Sequence, residues 1–501
     1  MKRKQEGDAQ QRLFASLLQS FGTIDPESEE TQQILSELNV LARKKQFADE
    51  MRKLDPQAFP LGRFLLSSRP KTRKNAARLI GILSLERETD GLIRLLETEE
   101  TLYVIPSVLL ALGNIRSESA VKALRSYTVP EPSCPEEAKQ TDEIREALQK
   151  ALGRTEEPEL PILDKLIKPE RFLVTAPEGF ADTLYAEMLE KGFETLMTET
   201  GCRTQTDDLA RLCTLRCAHE FLIPTGSSTL DPEEIAPHFS TYASYPYRIE
   251  LRGYAGNRSA FISKLAKAVG GVNSPSGYAF EFRVACSGEK ADLYVKPCRI
   301  PDQRYAYRRG TVPASIHPAT AACIVRSAKA LFGQGKEDPV ILDPCCGSGT
   351  LLFEREAYAR CRNILGLDIQ TDAVETSRKN AAAGGSAARF ILKDLMRFRT
   401  REPVDELYAN LPFGNRVGSH ERNRQLYAAL VKRLPDWLSN DGFAVLYTME
   451  HSMLQQLLKA ERSLVIADIR AAEAGGLYPK VFYVKKNTPV KWFYWEDSAG
   501  K

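Results

Sequence analysis

Residues 340–350 read Val-Ile-Leu-Asp-Pro-Cys-Cys-Gly-Ser-Gly-Thr. A short apolar run ends in a carboxylate, Asp343, and passes at once into a turn of small residues and glycines. Leu351-Leu-Phe-Glu-Arg-Glu-Ala behind it is built of good helix formers. Strand, glycine turn and helix in that order open a nucleotide-binding α/β sheet: the backbone comes close to the ligand and the helix N-terminus offers free N–H groups. The spacing is not the dinucleotide pattern G-x-G-x-x-G, and Thr350 stands where a phosphate loop needs Gly-Lys-Ser/Thr.

Two downstream landmarks refine this reading. Asn363-Ile-Leu-Gly-Leu-Asp368 is a second apolar run ending in an acid, 21 residues after Gly347. Folds of this kind place a ribose-binding carboxylate about 20 residues past the glycine turn. Leu407-Tyr-Ala-Asn410-Leu-Pro-Phe-Gly414 then sets Asn-Leu-Pro-Phe just past a third apolar run. Together these residues resemble the S-adenosylmethionine-dependent methyltransferases, in the branch that methylates exocyclic amino nitrogens.

The resemblance implies roles residue by residue. Asp343, Gly347 and Gly349, with Cys345 and Thr350 in the same turn, would hold the methionine part of the cofactor. Asp368 would accept hydrogen bonds from the ribose hydroxyls, and Asp394 would meet the adenine amino group. Asn410, Leu411, Pro412 and Phe413 would form the reaction centre. An exocyclic amine is a poor nucleophile because its lone pair is delocalised into the ring. Hydrogen bonds from the N–H₂ to the Asn410 side-chain oxygen and the Leu411 carbonyl favour a pyramidal nitrogen and stabilise the charge that develops on it. Pro412 keeps the turn stiff, Phe413 offers a stacking face, and Gly414 permits close approach. The pair Cys345-Cys346 is a steric choice in a tight turn, not a nucleophile. His420, Arg416, Arg422 and Arg424 follow in a polar loop whose default is simple solvation.

Composition excludes several classes. At 501 residues the chain is too long for one ordinary domain. With 43% hydrophobic and 27% charged residues it is an ordinary globular protein, and a net charge of +3 means any basic surface is local. No apolar run reaches the roughly 18 residues of a membrane span, and no secretory leader is visible, so a cytoplasmic protein is expected. Ten scattered cysteines read as reduced thiols. Cys213, Cys217 and His219 have ligand-like spacing without a fourth partner, so buried structural cysteine is the better reading and no metal is expected.

The expected architecture is multidomain. Residues 1–155 are helical in pattern, with Ala77, Ile80, Gly81 and Leu92 repeating 32 residues later as Leu109, Leu112, Gly113 and Leu124. This resembles short HEAT-type helical pairs, which would brace the enzyme or dock a protein partner. Residues 165–302 read as a mixed α+β region. Strands are expected from Arg171, at Tyr247–Arg252, at 279–284 and at 291–296, with helices at 181–191 and 258–269. In order and pattern this resembles the ferredoxin-like and THUMP arrangement of RNA methyltransferases. Residues 303–320 form a linker in which Arg304, Arg308 and Arg309 interleave with Tyr305 and Tyr307, a composition suited to phosphate contact and base stacking. A Rossmann-like, doubly wound α/β methyltransferase domain is expected over 313–486. It has strands near 340, 364, 388, 405 and 443, its longest helix at 425–438, a turn at Asn440-Asp-Gly442, and a closing edge hairpin at 464–469 and 480–484.

The expected activity is methyl transfer from S-adenosylmethionine to the N2 amine of a guanosine in RNA, tRNA before rRNA. Adenine-N6 methylation of DNA or RNA shares the same four-residue centre, and only the front region argues against it. A non-catalytic RNA-binding scaffold is the third reading, opposed by the intact set Asp343, Gly347, Gly349, Asp368 and Asn410.

Overall fold

The computed structural model describes residues 2–487 apart from 22–23, 56–58, 133, 156–159, 275–276, 334, 360, 362, 414–419 and 473–475. The chain divides into two compact units, the first essentially residues 1–160 and the second the remainder. No helix among the described residues is long and apolar enough to cross a membrane.

The first unit is helical. Ser28 and Ser117 cap helices Glu29–Leu41 and Glu118–Ser126, accepting from the N–H of Thr31 and Ala120, and Pro70 opens helix Pro70–Leu83. The glycines 32 residues apart do the same job twice. A Cβ on Gly81 would stand 2.7 Å from the Cα of Ala111, and one on Gly113 would stand 2.7 Å from the Cα of Ala151. Each glycine lets its helix close onto the next but one, so the repeat in the sequence is a repeat of helix–helix approach.

The second unit holds two seven-stranded sheets. The first contains β1 (Lys165–Thr175), β2 (Thr195–Thr198), β3 (Gly201–Asp208), β4 (Glu220–Thr229), β5 (Tyr247–Arg252), β6 (Phe280–Ser287) and β7 (Lys290–Pro297). Their order is β2-β3-β1-β4-β7-β6-β5, antiparallel except for the parallel pair β5–β6. Helices Ala181–Glu190 and Arg258–Val269 belong to this region, the second capped by Asn257, which accepts from the N–H of Ala260. Strands β2, β3 and β4 went unread in the sequence, since they are short or rich in Thr, Gly and polar residues with Pro224 in the last.

The second sheet contains β8 (Val340–Asp343), β9 (Asn363–Asp368), β10 (Arg389–Leu392), β11 (Val404–Asn410), β12 (Leu438–Thr448), β13 (Leu464–Ala471) and β14 (Lys480–Lys486). The order is β10-β9-β8-β11-β12-β14-β13. The first five are parallel, and β14 runs antiparallel between β12 and the edge strand β13. This is a Rossmann-like mixed sheet. The strand order reverses at β8, with β9 on one side and β11 on the other, and ligands of such sheets bind outside the strand carboxyl ends at that switch. Asp343 and Asn410 end the neighbouring strands β8 and β11 and so both stand at this switch.

Two boundaries differ from expectation. The Asn440-Asp-Gly442 turn lies inside β12, where the register slips from Val404 opposite Leu438 to Glu406 opposite Phe443. The turn-forming residues make a bulge because pairing resumes on both sides of them. The long helix spans His420–Trp437, and Leu438 already belongs to β12.

Candidate functional site

The cleft at the strand ends is lined by the turn after β8, the tip of β9, the corner after β11 and the segment 312–316. Asp343 is 1% exposed, and its Oδ1 accepts from the Cys345 N–H at 2.9 Å. Burial pushes its carboxyl up to about 8, aided by the negative charge of Asp368. Gly347 holds φ at +52°, a conformation costly for a side chain, and its N–H donates to Asp368 Oδ2 at 2.9 Å. The other oxygen of Asp368 accepts from the Gln370 N–H at 2.9 Å. The 21-residue register is therefore a physical bond between the two landmarks.

Not every expected residue reaches the cleft. Asp343, Cys345, Gly347, Thr350, Asp368 and Asn410 line it, whereas Gly349 and Asp394 do not. Gly349 serves packing: a Cβ there would stand 2.7 Å from the Phe353 ring and 3.0 Å from that of Phe390. Asp394 caps the turn Leu395–Arg397, accepting from the Met396 N–H at 2.8 Å, and Leu395 is the residue that joins the cleft wall. Burial, with Asp343 and Asp368 adding to it, drives the thiols of Cys345 and Cys346 well above their ordinary range, so neither is a nucleophile.

At the corner, Asn410 Nδ2 donates to the Ala314 carbonyl at 3.0 Å. Its Oδ1 is buried and has no hydrogen-bond partner among the described residues. The oxygen is thus fixed in direction and unsatisfied, which native interiors seldom tolerate without a reason. The surrounding backbone is held on several sides. Leu411 N–H donates to the Tyr447 carbonyl at 2.9 Å, and the Pro412 carbonyl accepts from Asn423 Nδ2 and from the Tyr427 hydroxyl, each at 2.9 Å. Phe413 meets Tyr447 edge to face at 5.7 Å.

Asn423 and Tyr427 were missed in the sequence, although four-residue spacing on one helix puts both on the face toward the corner. Ala314 was also missed. It sits at φ +63°, a left-handed conformation that costs a non-glycine residue about 1 kcal/mol or more. Of the polar loop, Gly414 and Arg416 and the side chain of His420 lie outside the described residues. Arg422 lines the cleft and Arg424 lines a separate cavity with Glu450 and His451.

The linker expectation needs correction for three residues. Arg304 donates to the carbonyls of Leu215 and Ala218 at 2.6 and 2.8 Å and pairs with Asp302, leaving its side chain 6% exposed. The Tyr305 hydroxyl donates to the Arg216 carbonyl, and that of Tyr307 to Glu354 Oε1 at 2.7 Å. Glu354 in turn receives Arg216 at 2.8 and 2.9 Å. These side chains tie the first sheet's region to the second and are not free for phosphate or base. The carbonyls and carboxylate they satisfy come from distant positions that no local pattern announces. Arg309 is exposed and Arg308 half-buried. Cys213 and Cys217 are buried, as structural cysteines are.

Residues 305–478 match the family described as UPF0020: RMKL-like, methyltransferase domain. A tRNA (guanine(6)-N2)-methyltransferase of Thermus thermophilus is 29% identical over 211 residues, which are 42% of this chain and 61% of that protein. The chain thus spans less than two thirds of that relative's length. The crystal structure of TrmN from Thermus thermophilus aligns with a TM-score of 0.50 and 23% identity over 63% of this chain and 99% of that one. That of SMU.472 complexed with SAH aligns with a TM-score of 0.51 and 17% identity over 65% and 100%. At these identities the two structures share the fold. Residues 305–478 are thus similar in sequence to a methyltransferase domain of the RMKL-like kind, on a fold shared with the two solved structures.

Proposed function

We propose that the protein transfers a methyl group from S-adenosylmethionine to the exocyclic N2 amine of a guanosine in tRNA. The observation that carries this reading is the Asn410 side-chain oxygen: buried, aimed by a tether on the other end of the amide, and without a partner among the described residues. An amine N–H at that point completes its hydrogen bonding.

The walls of the cleft suit the cofactor chemically. Asp343 is a buried carboxyl that no cation among the described residues neutralises, and a methionine ammonium is such a cation. Each Asp368 oxygen is used once by backbone and keeps a lone pair for a ribose hydroxyl. Once bound, S-adenosylmethionine supplies an electrophilic methyl on a sulfonium. The protein's part is to present the nucleophile. Asn410 Oδ1 accepts one amine N–H and draws the nitrogen lone pair out of conjugation, and it stabilises the positive charge that builds on that nitrogen. The Leu411 carbonyl is the second acceptor, because the Pro412 carbonyl is already taken by Asn423 and Tyr427. Those two bonds keep the corner from relaxing as charge develops. Phe413 gives the base a face to stack on. The methylated nitrogen is acidic enough to pass its proton to water without a dedicated base. Arg308 and Arg309 remain candidates for phosphate contact.

The tRNA assignment is supported by the relative named for it and by a mixed α+β region ahead of the catalytic domain. Incubation with tritiated cofactor and total tRNA, rRNA or DNA tests it. Label should enter tRNA and appear as N2-methylguanosine after nucleoside analysis, and Asn410→Ala should cut its rate of entry by about 10²–10³. Label recovered as N6-methyladenosine, or none with RNA still bound, would replace the reading with the adenine or the scaffold alternative.

A further inference from the structure

A second cavity adjoins the corner, and the two share Ala314, Ser315, Ile316 and Phe413 as a common wall. Its other walls bring Glu199 and His219 from the first sheet's region to face His317. His317 caps helix Pro318–Phe332: its Nδ1 accepts from the Ala319 N–H at 3.2 Å. A ring whose Nδ1 accepts carries its proton on Nε2, at the opposite end. The Nδ1 contact is the one hydrogen bond the His317 ring makes among the described residues, which leaves Nε2–H available. The His219 ring stands edge-on to it, centroids 4.8 Å apart at 69°, and fixes the plane. Burial, and then the positive neighbours His219, Arg308 and Arg304, hold the His317 ring down at about 4. Near neutral pH it is therefore uncharged, with one tautomer and one fixed donor.

Guanine and adenine differ at that kind of donor. Guanine carries an acceptor, O6, on the same edge as its N2 amine with N1–H between them, whereas adenine carries an amino group at position 6. Enzymes that act on extruded bases read this edge by hydrogen bonds. A fixed N–H facing position 6 completes the bonding of guanine; adenine in that pose would set donor against donor and has no amine at position 2 to react.

We propose that this second cavity seats the target guanine, with His317 Nε2–H donating to O6 while N2 lies at Asn410, so that His317 reads O6 and fixes which base edge enters. The inference rests on the function proposed above. Glu178 and Glu199 also line this cavity, and a carboxylate is the kind of acceptor the remaining N–H of the base edge needs.

The test uses the full-length protein and ligated tRNA transcripts carrying either guanine or 2-aminopurine at the nucleotide that wild type labels. 2-Aminopurine keeps the 2-amine and lacks O6. Wild type should prefer guanine in kcat/KM. His317→Asn keeps an acceptor for the Ala319 N–H and removes the distal donor, and should cut that preference about tenfold or more. His317→Gln, whose amide N–H extends toward the old Nε2 position, should restore part of it. Calorimetric binding of S-adenosylhomocysteine to each variant reports whether the cleft is intact. An unchanged preference in His317→Asn, or an equal loss on both bases, overturns the inference while leaving the guanosine activity standing. A wild type that labels no guanosine removes the function reading and this inference together.

Discussion

Two carboxylates are equally hidden in the second sheet and fare in opposite ways. Glu406 in β11 is 2% exposed and accepts from Arg355 Nη2 at 2.8 Å, from Lys329 Nζ at 2.9 Å and from the Tyr408 hydroxyl at 2.9 Å. Burial alone would raise its carboxyl, but the Arg355 and Lys329 contacts outweigh that and hold it low. Asp343, at the end of the neighbouring β8, is 1% exposed, accepts one backbone N–H and sits up at about 8. A buried charge is tolerated when partners compensate its lost hydration. Glu406 finds its partners within the chain and is structural. Among the described residues Asp343 has one backbone donor and no cation, and Asn410 Oδ1, at the end of the adjacent β11, has no hydrogen-bond partner.

The comparison breaks first on the structural side. Arg355→Ala leaves Glu406 buried with half its compensation, and should cost about 3–5 kcal/mol of folding stability in denaturant titration. A loss below about 1 kcal/mol would mean that the network is ornamental and that burial alone does not distinguish the two acids.

On the ligand side, Asn410→Ala should lower kcat for methyl transfer by about 10²–10³ while S-adenosylhomocysteine binds within a few-fold of wild type. A matching loss of cofactor binding would place Asn410 among the cofactor's supports instead.

The next effect is a pH dependence. Asp343 has a folded-state value near 8 and an unfolded one near 3.9, so the folded state holds the extra proton and stability from this group falls as pH rises between them. Binding of a cationic ligand needs the ionised form. Affinity for S-adenosylhomocysteine should therefore climb up to about tenfold per unit from pH 6 to 8 and level off above, and Asp343→Asn should bind weakly with no such slope. A flat wild-type profile would show that the ammonium lies elsewhere.

The smallest effect concerns Ala314, whose carbonyl aims Asn410. Ala314→Gly removes the left-handed strain and adds freedom to the unfolded chain, two terms that nearly cancel, so thermal unfolding should report a gain below about 1 kcal/mol. A larger gain would mean that the corner is held under more tension than φ +63° implies.

Much of the site was legible because its parts are local. The glycine turn, the acid that ends β9 and the Asn-Leu-Pro-Phe corner are each contiguous strings, and the spacing from Gly347 to Asp368 turned out to be a hydrogen bond. The central parallel strands β8, β11 and β12 were legible as buried apolar runs. Strands β2 and β3 were not, since a polar, Thr-rich hairpin owes its form to pairing with β1 and not to its own apolar period. Gly349 and Asp394 carried motif positions but met Phe353 and Met396 in place of the cleft.

By itself, then, the sequence determined what backbone and short-range sterics dictate: which runs are strands, where the chain must turn tightly, and which acids and amides stand at strand ends. Only the tertiary structure decided which of those groups are satisfied. Arg216 and Glu354 are 138 residues apart, and Asn410 and Ala314 are 96. Hydrogen bonding and desolvation depend on what lies within a few ångströms in space, and at such separations that is set by how the sheets are folded against each other. Hence Arg304, Tyr305 and Tyr307, read as reaching outward, close inward, while the Asn410 oxygen finds no partner among the described residues.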